Sequence, residues 1–195
     1  MNKTKKHEIL KVVLDMLADP DNKHLSISNV AKRVGIGKST IYEYFDKKED
    51  MIIGAIELML KRNLDAILGV ENFETMPFKE AFFAHFEKLL EIAGNNEMMQ
   101  NYIHHPDISM LDSEKKLTLM KKMHETFDVI KKRLYEIMEK GIQSGLLKQN
   151  ISLERTHTIE ATIFGAVLAI SDPLNNWESS KMIEDVYQSI ILLHQ

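Results

Sequence analysis

The chain has no cysteine among its 195 residues, which excludes disulfides and thiolate metal sites. It has only four prolines and eight glycines, too few to punctuate a chain of many short strands. Nowhere does the sequence show the alternation of a half-buried strand. Long apolar runs are also missing. The longest, from Ala161 to Ile170, falls well short of the ~20 residues that a bilayer span needs. The opening "MNKTKKHE" is charged and lacks the apolar core of a secretory signal. These absences predict a cytoplasmic, all-α protein.

A strong basic excess is absent as well. The net charge is −4, but it is unevenly spread: residues 1–50 carry ten Lys/Arg against eight Asp/Glu, and the rest carry fifteen against twenty-one. Only the N-terminal part could lie comfortably beside a polyanion.

What the sequence does have is helical spacing. Ile9, Val13, Met16 and Leu17 give a first helix that ends near Asp19-Pro20. Ser26 is a candidate N-cap for a second, with Val30, Ala31 and Val34 on its inner side. A short third segment runs from Gly37 to Phe45. "DKKE" (Asp46 to Glu49) reads as a capping box opening a long helix through Met51, Ala55, Leu58, Met59 and Leu68. A helix follows from Phe78 to about Ala93. "HHPD" at His104 to Asp107 marks a break. Ser113 is a candidate cap for the longest helix, whose stripe is Leu117, Met120, Met123, Phe127, Ile130, Leu134 and Ile137. Two last helices are expected from about Leu153 to Ile170 and from Glu178 to Leu193.

"VGIGKST" (Val34 to Thr40) ends like a nucleotide-binding phosphate loop. That motif requires an earlier glycine at position 32, where Lys32 stands, and a preceding strand, where the sequence is helical. A helix-turn-helix fits better. Gly35 suits a left-handed residue ending one helix, and Gly37 can start the next. Lys38, Ser39 and Thr40 would then occupy the first turn of a helix facing DNA. Ile41 and Phe45, four apart, read as core. Tyr42 and Tyr44 either reach phosphate through their hydroxyls or fill the core.

"LSISNVAKRVGIGKSTIYEYFDKKEDM" (Leu25 to Met51) resembles the helix-turn-helix of the TetR family of bacterial transcriptional regulators. Val30-Ala31, Gly35, Tyr42, Phe45, Lys48 and Glu49 fall where that family's pattern expects them. "MEKGIQSGLL" (Met138 to Leu147) resembles the Gly-x-x-x-Gly turn after the family's long helix, and "TIEATIFGAVLAI" the helix that follows. Gly37, where Ser or Ala is commoner, and the long first linker "DPDNKH" depart from the pattern. The resemblance implies a three-helix DNA-binding domain over residues 1–48, with the helix-turn-helix at about 26–45. A larger helical domain for effector binding and dimerisation would follow over 49–195. It implies DNA contacts by Ser28, Lys38, Ser39, Thr40, Tyr42, Tyr44 and Lys48. It also implies a sequence-specific repressor released from a palindromic operator by a small-molecule effector, with no cofactor. Phosphate contacts by Lys48 and the tyrosines would set register, while Lys38 is the best donor to guanine.

The C-terminal helices are apolar on more than one side, which calls for a second buried face. Ala161, Gly165, Leu168 and Ala169, with Ile183, Val186, Tyr187 and Ile190, are the candidate homodimer interface, as the resemblance also implies. Phe82, Phe86, Met98, Met99, Tyr102, Met120, Met123, His124 and Phe127 are candidates for the lining of an effector pocket, though gap-filling core is the plainer role for any one methionine. No metal site and no enzymatic activity is expected, because no histidine pair or carboxylate cluster has ligand spacing. The competing reading is a helical interaction protein whose degenerate helix-turn-helix no longer binds DNA.

Overall fold

The computed structural model describes residues 3–94, 101–102, 104–148, 154, 158, 161–162 and 179–194. Among the described residues every regular element is a helix. In chain order these are α1 (Lys3–Ala18), α2 (Ile27–Val34), α3 (Lys38–Tyr42), α4 (Lys48–Leu68), a 3-10 turn (Phe73–Thr75), α5 (Phe78–Gly94), α6 (Pro106–Ser109), α7 (Ser113–Gln143) and α8 (Ser179–His194). None of the described helices is long and apolar enough to cross a membrane. The helix expected over 153–170, and with it Gly165, Leu168 and Ala169, lies outside the described residues, as do Met98 and Met99.

The chain packs as two compact units: Met1–Arg62 with Glu97–His124, and Asn63–Asn96 with Glu125–Gln195. The first unit therefore extends beyond residue 48 along α4 and takes in a segment from the middle of the chain. Its core is built by Ile9, Val13, Met16 and Leu17 of α1, Val30 and Ala31 of α2, Ile41 of α3, and Met51, Ile52, Ala55 and Met59 of α4. Tyr102, Leu111 and Leu119 complete it. The three- and four-residue spacing within α1 and α4 explains why one face of each helix is buried.

The second unit is centred on aromatic rings. Phe82 lies 4.4 Å from Phe86, 6.1 Å from Phe78 and 5.5 Å from Tyr187, ring centroid to centroid. Ile130, Leu134, Ile137 and Met138 of α7 and Ile183 and Ile190 of α8 close around them. Arg133 lies with its guanidinium carbon 3.4 Å from the centre of the Phe73 ring and donates to the Leu68 carbonyl at 3.0 Å, fixing the end of α4 within this unit. At the close of α7, a Cβ on Gly141 would stand 2.6 Å from Leu147 Cδ1, so the Gly-x-x-x-Gly turn needs its first glycine for room.

Three sequence expectations are displaced. The box opening α4 is shifted by one: Asp50, not Glu49, reaches back, accepting the Lys47 N–H at 3.2 Å. Asp112 rather than Ser113 caps α7, accepting from the Lys115 N–H at 2.8 Å. The α7 stripe is buried only in its second half. Leu117, Met120, Met123 and Phe127 are 52, 65, 37 and 39% exposed, while Leu119 is buried instead. Periodicity identifies an apolar face, but only packing decides whether a neighbour covers it.

Candidate DNA-binding surface

The sequence around α2 and α3 encodes its own geometry. Ser26 Oγ accepts the Asn29 N–H at 3.1 Å, satisfying one of the free donors that begin α2. Gly35, at φ 74° and ψ 34°, ends it in the left-handed region. There the Ile36 N–H donates to Ala31 O at 3.0 Å and the Gly35 N–H to Lys32 O at 3.3 Å. Both bonds require the chain to curl back, which a residue without Cβ does at no steric cost. Two residues on, Gly37 is extended at φ −71° and serves as N-cap of α3 with no side chain to cap it.

α3 is anchored by Ile41, fully buried, and by Phe45 just after it. Burying such side chains stabilises by about 1.5–3 kcal/mol each, which holds a five-residue helix that could not persist alone. With Ile41 inward, the other residues are sorted. Ser28, Lys38 and Ser39 are exposed, Thr40 is half-buried and Tyr42 is 48% exposed. Tyr44 is half-buried against the core and Tyr42 is the more exposed of the two tyrosines. Lys32, Arg33 and Lys38 are all exposed cations of this α2–α3 pair, and Glu43 is exposed beside them. The pair thus turns hydroxyls, ammonium groups and one phenol to solvent from a rigid apolar base.

Lys48 is placed differently from the rest. Its Nζ donates to Asp107 Oδ1 at 2.7 Å, while the other carboxylate oxygen accepts the Leu25 N–H at 2.6 Å. The Asp107 side chain is 2% exposed, and His24 and His105 each bring Nδ1 within 3.9 Å of it. Burial pushes the Asp107 carboxyl up, but the hydrogen bonds from Lys48 and the Leu25 N–H, with the Lys48 charge, outweigh it and hold the group below the usual carboxylate range. Stripping a buried carboxylate of its cation costs ~3–5 kcal/mol, toward the lower end here because Lys48 is a third exposed. One phosphate contact at moderate salt is worth roughly 1 kcal/mol. In this structure the ammonium is held by Asp107.

His105 completes the arrangement. Its Nδ1 accepts the Asp107 N–H at 3.2 Å, so the proton sits on Nε2, which donates to the Asn22 carbonyl at 2.8 Å. Asn22 in turn donates to Met16 O at 2.7 Å, and Asn101 to Ala18 O at 2.8 Å. The long α1–α2 linker is therefore fastened by Asn101, His105 and Asp107. The sequence marks "HHPD" as a break. It is one, with His105 as N-cap and Pro106 in the first turn of α6, but its polar groups serve partners more than fifty residues away. No local pattern announces such partners. Among the described residues no group of three or more His, Asp or Glu is placed to hold a metal.

The remaining candidates are scattered. Phe82 and Phe86 lie in the aromatic core of the second unit, and Tyr102 is buried in that of the first. Met120, Met123, His124 and Phe127 are exposed along α7. Ala161 is exposed. Ile183, Tyr187 and Ile190 are buried in the chain's own core, because α8 packs its apolar face on α5; Val186 is half-buried and Leu192 is 73% exposed.

Residues 9–55 match the family model described as bacterial regulatory proteins, tetR family. The chain is 24% identical over 161 residues to the fatty acid metabolism regulator protein of Bacillus subtilis (strain 168), covering 82% of this chain and 78% of that one. Its fold is similar to that of a TetR transcription regulator from Haloarcula marismortui ATCC 43049, with a TM-score of 0.78 over all of both chains at 16% identity. It is also similar to the transcriptional regulator FadR of Bacillus subtilis solved in complex with stearoyl-CoA, with a TM-score of 0.68 at 18% identity, covering 95% of this chain and 97% of that one. Residues 9–55 thus match the tetR family of bacterial regulatory proteins, and the chain as a whole has a fold similar to that of solved TetR regulators.

Proposed function

We propose that this regulator is a homodimeric repressor that grips a palindromic operator through α2 and α3 and lets go when an amphiphile with a long acyl chain binds its C-terminal part. The observation carrying the DNA half is the exposed Ser28, Lys38, Ser39 and Tyr42 set above the buried Ile41. Side chains of this kind read base edges and phosphates from a helix laid in the major groove. Thr40 and Tyr44, half-buried beside them, have the shorter reach. A helix as short as α3 reads few bases, so two copies related by a two-fold axis supply the rest.

The acyl-chain half is supported by the fatty acid metabolism regulator among its relatives and by the stearoyl-CoA complex of a structure of similar fold. This chain adds apolar surface of its own, the exposed Met120, Met123 and Phe127 on α7. Flexible methionines adapt well to an alkyl chain. The effector must favour one of two conformations, since equal affinity for both would release nothing.

The test is fluorescence anisotropy of a labelled duplex selected by the protein from a random-sequence library, titrated with acyl-CoA thioesters of increasing chain length. Release that strengthens with chain length is expected. A duplex that stays bound at every chain length would overturn the effector, and a library from which no duplex emerges would overturn the repressor. Sedimentation at micromolar concentration should show a dimer.

A further inference from the structure

We infer that Lys48 contributes to DNA binding as the counter-ion of Asp107, not as a phosphate contact, so that Asp107 is a positioning residue for the DNA-binding head. The inference rests on the DNA-binding function proposed above. Its basis is geometric. Asp107 is the point where three stretches of the first unit meet: the start of α4 through Lys48 Nζ at 2.7 Å, the end of the α1–α2 linker through the Leu25 N–H at 2.6 Å, and α6, which carries it. His105, one turn-start earlier, adds the linker's middle through Asn22 O at 2.8 Å. The entry to α2 and the entry to α4, which bracket the reading helix, are thereby set by one buried carboxylate.

The ammonium cannot leave without consequence. The Asp107 side chain is 2% exposed, and among the described residues the other charged-capable groups facing it are His24 and His105, each at 3.9 Å and poorly placed to replace a direct bond. A lysine free to bind phosphate would carry no such obligation. The two roles predict opposite behaviour when the pair is neutralised together. Lys48→Met leaves the carboxylate stranded, whereas Lys48→Met with Asp107→Asn removes the need for a cation and still offers an amide oxygen to the Leu25 N–H.

The experiment measures affinity for a duplex selected by the wild-type protein, over a series of salt concentrations, for wild type, Lys48→Met, Asp107→Asn and the double variant. Circular dichroism melts confirm that each is folded. Lys48→Met should bind at least about tenfold more weakly, and the double variant should recover to within about threefold of wild type. The slope of log affinity against log salt should stay unchanged in every variant that binds. A slope that falls by about 0.9 on loss of Lys48, or a double variant no better than Lys48→Met, would overturn the assignment. If Lys48→Met does not fold, the slope and affinity of the double variant decide alone. A wild-type protein that selects no duplex sinks the DNA-binding function itself, a result distinct from either.

Discussion

Replacing Asp107 by alanine tests the energetics of the first unit most sharply. The change strands the buried Leu25 N–H, now bonded at 2.6 Å, which costs about 1–3 kcal/mol. It also dissolves the bond to Lys48, whose ammonium is a third exposed and returns to solvent, a loss of about 1 kcal/mol or less. Together these give roughly 1–4 kcal/mol. For a chain of this size each kcal/mol lowers the melting temperature by about 2–4 °C, so the midpoint should fall by roughly 2–16 °C. Asp107→Asn keeps an acceptor for Leu25 and should lose only about 1 kcal/mol. The assay is thermal unfolding followed by far-UV circular dichroism near neutral pH. An alanine variant that melts with the wild type would refute the reasoning, as would an asparagine variant less stable than alanine.

The remaining predictions concern pH and the two glycines of the turn. Because the folded state holds the Asp107 carboxyl below its ordinary value, its contribution is complete above the unfolded pKa of ~3.9 and is lost as pH falls through the folded value. The stability gap between wild type and Asp107→Asn, measured in denaturant, should be flat from neutrality to about pH 5 and shrink below about pH 4. His24, His105 and Lys48 are the groups facing this carboxylate among the described residues; a gap that widens on acidification contradicts the account. Gly35→Ala should destabilise by about 1 kcal/mol through left-handed strain alone, since nothing lies within 4 Å of the added Cβ. Gly37→Ser should stabilise by a few tenths of a kcal/mol by supplying the missing cap of α3, its backbone already extended at φ −71°. The two substitutions, two residues apart, should shift the melting midpoint in opposite directions, and shifts of the same sign would refute the turn geometry.

What the sequence made legible was whatever depends on neighbours along the chain. Ser26, Gly35, Ile41 and Phe45 take the places their local chemistry demands, because caps, left-handed turns and four-residue spacing are short-range effects. Boundaries slipped by one residue where two adjacent residues both offer a cap, as with Asp112 and Ser113. Contacts across the chain were illegible. Nothing near Asp107 reveals that Leu25 and Lys48 will meet it, and nothing near Met120 or Met123 reveals that they end up exposed. The same limit explains α8, where Ile183, Tyr187 and Ile190 look equally suited to a partner chain or to the unit's own core, which in fact buries them, Tyr187 against the Phe78 and Phe82 rings.

The central claim is that the α2–α3 head grips a duplex, and the salt dependence of binding measures it most directly. With wild-type protein and a selected palindromic duplex, affinity should fall steeply and linearly on logarithmic axes as salt rises. Lys38→Ala should weaken binding most on the duplex whose guanine it reads, with Tyr42→Ala weakening all duplexes alike. No affinity for any duplex at low ionic strength, or an affinity indifferent to both substitutions, would contradict the account.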